Sequence, residues 1–122
     1  MYADSVHAPL FGNDDSLEMY LREVRTILPL AKEEETKLLG HVRACDDESE
    51  VAARTLVEAN LSRVVSIVER YPSSKLSKLE LIEEGNVGLM TAIDTFHSSA
   101  NQNFVTHAET CIQQAISKAI TK

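Results

Sequence analysis

Ser77-Lys78-Leu79-Glu80-Leu81-Ile82-Glu83-Glu84-Gly85-Asn86-Val87-Gly88-Leu89-Met90 decides the fold. Its first four residues have the spacing of a capping box: the serine hydroxyl accepts from the amide three residues on, and the glutamate reaches back. That spacing predicts a helix over roughly 78–96. Gly85 and Gly88 fall inside it, each costing about 1 kcal/mol relative to alanine. Two small residues three apart on one face offset that cost by letting another helix approach closely, and tight packing on the preceding helix is the expected use.

Working outward, residues 48–71 read as one long helix with Val51, Leu56, Leu61, Val64, Val65 and Val68 spaced for burial, ended by Pro72-Ser73-Ser74. Asp15-Ser16-Leu17-Glu18 repeats the capping-box spacing and opens a first helix carrying Leu17, Tyr20, Leu21 and Val24 on one face. That helix stops before Pro29, whose ring disfavours helical geometry in the residue before it. A second helix starts near Lys32, with Glu33, Glu34 and Glu35 suited to the positive end of the helix dipole and Leu38, Leu39 and Val42 facing inward. Asp46 and Asp47 form the next turn. Beyond the polar stretch 97–103, Ala108, Cys111, Ile112, Ala115, Ile116 and Ala119 make an apolar stripe in a fifth helix over 104–120. Residues 1–13 lack a period and read as an irregular leader. The expectation is an all-α, compact domain of about five helices spanning 14–122.

Composition narrows the function. The chain has 122 residues, 19 acidic and 12 basic, 43% hydrophobic residues, two cysteines and no tryptophan. This fits one domain. Its apolar runs are only a few residues long, far short of the ~20 a membrane span needs, and its start lacks a basic-then-apolar signal. No membrane contact is expected. Cys45 and Cys111 form no metal-ligand spacing and read as free thiols in a reducing cytoplasm. All the surplus acid lies in residues 1–59, so no strongly cationic face is expected for independent duplex binding. His7, His41, His97 and His107 are scattered, and no glycine-rich phosphate loop is present. No enzyme activity, metal or cofactor is expected.

Several blocks in order carry a resemblance. Asp15 to Glu23 (Asp-Ser-Leu-Glu-Met-Tyr-Leu-Arg-Glu), Glu58-Ala59-Asn60-Leu61, Val64-Val65-Ser66-Ile67 and Glu84-Gly85-Asn86-Val87-Gly88-Leu89-Met90 resemble region 2, and the conserved part of region 1, of bacterial sigma-70 transcription initiation factors. The resemblance runs from Asp15 to Lys122. It implies a cytoplasmic bacterial protein that binds core RNA polymerase, with the 78–96 helix docking on the clamp coiled coil of the largest subunit. Glu80, Glu84, Asn86 and Met90 would carry that contact, and Glu83 stands where the family usually has glutamine. Carboxylates, an amide and a flexible thioether suit guanidinium groups with an apolar rim.

The segment implied to face DNA departs from the family. Ser98, Gln102, His107, Thr110 and Cys111 stand in place of aromatic residues, and Ser99, Ala100, Asn103 and Gln113 in place of basic ones. Those rings wedge open the −10 promoter element in the family; here Phe104, with His107 as a weaker stacking group, would remain. Thr106, Gln114, Ser117 and Lys118 complete the expected DNA-contacting set, since glutamine can read adenine in the major groove. Promoter DNA is therefore expected as a weak partner, and an anti-sigma factor is a further partner the resemblance allows. The alternative is a protein-binding module that occupies the clamp site without melting DNA and competes with other sigma factors. The family continues past the position of Lys122, so the chain reads either as a naturally short paralogue or as a piece of a longer protein, with Met1 at the start favouring the first.

Overall fold

The structure, a computed structural model, describes residues 14–72, 74–97 and 103–121, without the side chains of Asp14 and Asp15. The expected leader 1–13, and the Asp15 cap, lie outside this description. Among the described residues six helical segments follow in order: α1 (Asp14–Arg25), α2 (Lys32–Ala44), α3 (Ser49–Ala59), α4 (Leu61–Val68), α5 (Lys78–Thr95) and α6 (Phe104–Ile120). No strand occurs among the described residues.

The single long helix expected over 48–71 is broken at Asn60 into α3 and α4. Asparagine side chains offer the backbone an alternative partner. Here the buried Asn60 Nδ2 donates to the Leu56 carbonyl at 2.7 Å, and its Oδ1 accepts from Arg63 Nε at 3.2 Å. Val51 ends 59% exposed although its spacing predicted burial, because the inward row of α3 runs through Ala52 and Leu56, from which Val51 is turned away; Leu56, Leu61, Val64 and Val68 are buried.

α5 and α6 form an antiparallel pair at the centre. Thr95 meets His107 at one end, and the faces of Gly88 and Gly85 meet Cys111 and Ile116 further along. A Cβ on Gly88 would lie 2.6 Å from the Cys111 carbonyl oxygen and 2.9 Å from Ala115 Cβ; one on Gly85 would lie 2.7 Å from Val64 Cγ1. The glycine spacing thus serves close approach to two helices, α4 as expected and α6 in addition. Leu56, Val64, Ile67, Leu89, Ile112 and Ile116 fill the core between them. α2 pairs with α3 and is tied to the end of α5 by Arg43 Nη1, which donates to the Phe96 carbonyl at 2.6 Å. α1 lies on α4.

Candidate docking and nucleic-acid surfaces

The start of α5 is fixed by its cap. Ser77 N–H donates to Glu80 Oε1 at 2.8 Å, and Glu80 N–H donates to Ser77 Oγ at 3.1 Å. With Leu81, Ile82, Gly85, Gly88, Leu89, Ala92 and Ile93 turned inward, the helix leaves Glu80, Glu84, Val87 and Thr91 exposed at helical spacing. Glu83 and Met90 stand half-buried at the margin, and Met90 leans on the core. Glu84 makes no hydrogen bond or ion pair among the described residues. Glu80, by contrast, is already held by its cap.

Asn86 does not share this ledge. It is 4% exposed, and its Nδ2 donates to the Tyr20 hydroxyl at 3.3 Å while its Oδ1 has no hydrogen-bond partner. The reason is its register: Asn86 falls in the row of Ile82, Leu89 and Ile93, which faces the core. Burial pushes the Tyr20 hydroxyl above its usual pKa, the nearby Glu23 and Glu83 charges add to that, and the Asn86 bond opposes it. Val87, 52% exposed in the middle of the ledge, was not singled out in the sequence. Its signal was present: an apolar residue outside the row already filled by the buried stripe.

α6 is opened by Asn103, whose Oδ1 accepts from the amides of Val105 at 2.8 Å and Thr106 at 3.3 Å. Phe104, expected to stack on a base, is instead 4% exposed and packs edge-on against Phe96 with ring centroids 5.4 Å apart. As the first apolar residue of the inward row that continues through Ala108 and Ile112, it belongs to the core. His107 is half-buried, with Nε2 3.0 Å from Thr95 Oγ1 and 3.8 Å from Cys111 Sγ and its ring tilted on Phe96. Thr95 already donates its hydroxyl proton to the Thr91 carbonyl at 2.8 Å, so the bond to His107 assigns the imidazole proton to Nε2. Burial raises the pKa of Cys111 and keeps it a thiol. Thr106, Gln114, Ser117 and Lys118 are exposed on the outer face. Ser98, Ser99, Ala100 and Gln102 lie outside the described residues.

Two surfaces therefore stand apart, an acidic and apolar ledge on α5 and a polar face on α6. No helix among the described residues is long and apolar enough to cross a membrane. The family model for sigma-70 region 2 matches residues 56–122. The RNA polymerase sigma factor SigA of Lactococcus lactis subsp. cremoris is 43% identical over 107 residues, covering 88% of this chain and 29% of that protein. SigA of Lactococcus lactis subsp. lactis is 43% identical over 88% of this chain, and SigA of a Bacillus species 39%. The chain spans less than a third of the length of these curated relatives.

Proposed function

The chain belongs to the sigma-70 family, and on that premise we propose that it binds core RNA polymerase in transcription initiation, docking α5 on the clamp coiled coil of the largest subunit. The observation that carries this reading is the exposed ledge of Glu84, Val87 and Thr91, flanked by Glu80, Glu83 and Met90. A carboxylate with no intramolecular partner beside an exposed apolar side chain is the composition that a basic helical partner with an apolar rim accepts, and its charge also speeds encounter. Asn86 supports the ledge from beneath by holding α1 through Tyr20 and does not enter the contact surface.

A second reading is favoured by one observation: Phe104 is in the core. Extruding a base costs a few kcal/mol, which stacking on an exposed ring returns at roughly 1–3 kcal/mol per base. No aromatic ring is exposed on the described part of α6. A protein docked through α5 without such rings occupies the clamp site, touches promoter DNA only as duplex, and competes with sigma factors that open it.

Pull-down with core polymerase tests the docking. Wild type retains polymerase, Glu84→Lys loses it, and Thr106→Lys on the opposite surface does not. Polymerase retained by Glu84→Lys would remove α5 from the contact. A single-stranded −10 oligonucleotide added to the docked complex separates the readings: no capture supports the competitor, whereas capture that disappears in His107→Ala supports strand opening.

A further inference from the structure

Each of the two cysteines follows a histidine by four residues, His41 before Cys45 and His107 before Cys111. On a helix that is one turn, a spacing that qualifies the expectation of no metal ligands. The two pairs differ in geometry. At the end of α2, His41 Nδ1 lies 2.8 Å from Asp46 Oδ2, while Cys45 has left the helix with φ at 51° and turns its Sγ to 3.7 Å from the Val42 carbonyl. That imidazole and that thiol are each engaged elsewhere. On α6 the turn is intact, and His107 Nε2 lies 3.8 Å from Cys111 Sγ. Zinc bonds of about 2.0–2.1 Å to nitrogen and about 2.3 Å to sulfur close on that separation with an angle of about 120° at the metal, a slightly opened tetrahedron. Both side chains are half-buried where α6 borders α5, so their positions are held while solvent still reaches them. Thr95, Thr110 and Gln114, the exposed residues beside them, are uncharged, and Glu109 turns away to Arg63 at 3.7 Å. Among the described residues no third histidine, cysteine or carboxylate completes a metal-holding group with them.

We propose that His107 and Cys111 form half of a tetrahedral site for a thiophilic d10 cation of the zinc class, completed by the same pair from a second copy of this chain. A closed site of this kind takes four nitrogen and sulfur ligands. One chain offers two; a two-fold axis through the ion repeats them, which is the self-complementary arrangement of an isologous dimer. Ligation moves two kinds of proton. The imidazole gives up the Nε2 proton that faces Thr95 Oγ1 and carries one on Nδ1 instead, leaving the Nε2 lone pair for the metal, and each Cys111 thiol proton passes to solvent. Two thiolates then balance one dication. Burial favours the thiol at Cys111, and a cation bound at the sulfur overrides that preference. His107 and Cys111 both stand where the family resemblance implies aromatic rings, so the exchange that removes stacking groups also supplies the ligands. The site depends neither on docking by α5 nor on strand opening.

Cobalt(II), titrated into the reduced full chain and then displaced by zinc, tests the proposal: a sulfur-to-metal charge-transfer band reports thiolate ligation, and intense visible bands report tetrahedral geometry. Wild type should show both, saturate at one ion per two chains, and pass from monomer in EDTA to dimer in zinc by sedimentation. Cys111→Ser should lose the charge-transfer band and the dimer, and His107→Gln should lose the dimer. Cys45→Ser, at the cysteine with the same spacing and the other geometry, should change neither. Circular dichroism verifies that all three variants fold. Four results overturn the proposal: a wild-type cobalt spectrum without the charge-transfer band, a band that survives Cys111→Ser, an equal loss in Cys45→Ser, or saturation at one ion per chain with no dimer.

Discussion

α5 and α6 pack on one another along most of their length, yet their outward faces differ in kind. Inward, both are apolar and close enough that Gly88 touches the Cys111 backbone. Outward, α5 shows carboxylates around an exposed valine, while α6 shows amides and hydroxyls with one lysine in its last turn. The inner faces specify the fold and tolerate little change. The outer faces carry recognition and can change without disturbing what lies beneath, which is why α6 keeps the family frame around a surface stripped of rings.

The largest effect should come from testing whether Phe104 belongs to the inside. Phe104→Ala should cost about 3–5 kcal/mol, read as a loss of denaturant midpoint, whereas Gln114→Ala on the outer face should move it by about 0.5 kcal/mol or less. Equal small effects would return Phe104 to the surface and restore it as a stacking group.

Next in size is the contact between the two helices. Gly88→Ala drives a methyl into the Cys111 carbonyl, a backbone group with no rotamer to escape through, and should cost about 1–3 kcal/mol by thermal melting. Gly40, in α2, has nothing within 4 Å of an added Cβ. Gly40→Ala should therefore gain about 0.5–1 kcal/mol. Stabilisation by both would mean that α5 and α6 stand farther apart than described.

Periodicity made the inner faces legible and left the outer ones half-read. The Ser77–Glu80 cap, the start of α2 at Lys32 and the bounds of α6 follow from side-chain chemistry local to each position, and they came through. The break at Asn60 did not, because the flanking residues are apolar at helical spacing and only the side-chain bonds of Asn60 interrupt the ladder. Asn86 and Phe104 were assigned outward by family analogy, although each sits in the row of its own helix's buried residues. The His107–Cys111 pair was overlooked for a different reason: the same spacing recurs in His41–Cys45, and only the contacts of each imidazole tell the two apart.

A smaller effect separates the two roles of Glu80. Its carboxylate closes the cap on Ser77, so Glu80→Ala should lower stability by about 1 kcal/mol. Glu84→Ala should leave stability unchanged and weaken polymerase retention. A variant pair behaving the other way would exchange structural and docking roles along the ledge.

The smallest expected effect is a pH dependence, and it tests the bond beneath the ledge. Burial holds the Tyr20 hydroxyl protonated in the folded chain above its usual pKa of 10.0. Below that value Tyr20 is neutral in both states and contributes no pH dependence. As pH rises past it, the unfolded chain releases its proton first, the folded state binds more protons, and stability falls. Tyr20→Phe should flatten this decline, and urea midpoints between neutral pH and about 11 for the two proteins measure it. An unchanged alkaline slope would mean that Tyr20 reaches water, and Asn86 would then be free to turn outward and join the α5 surface after all.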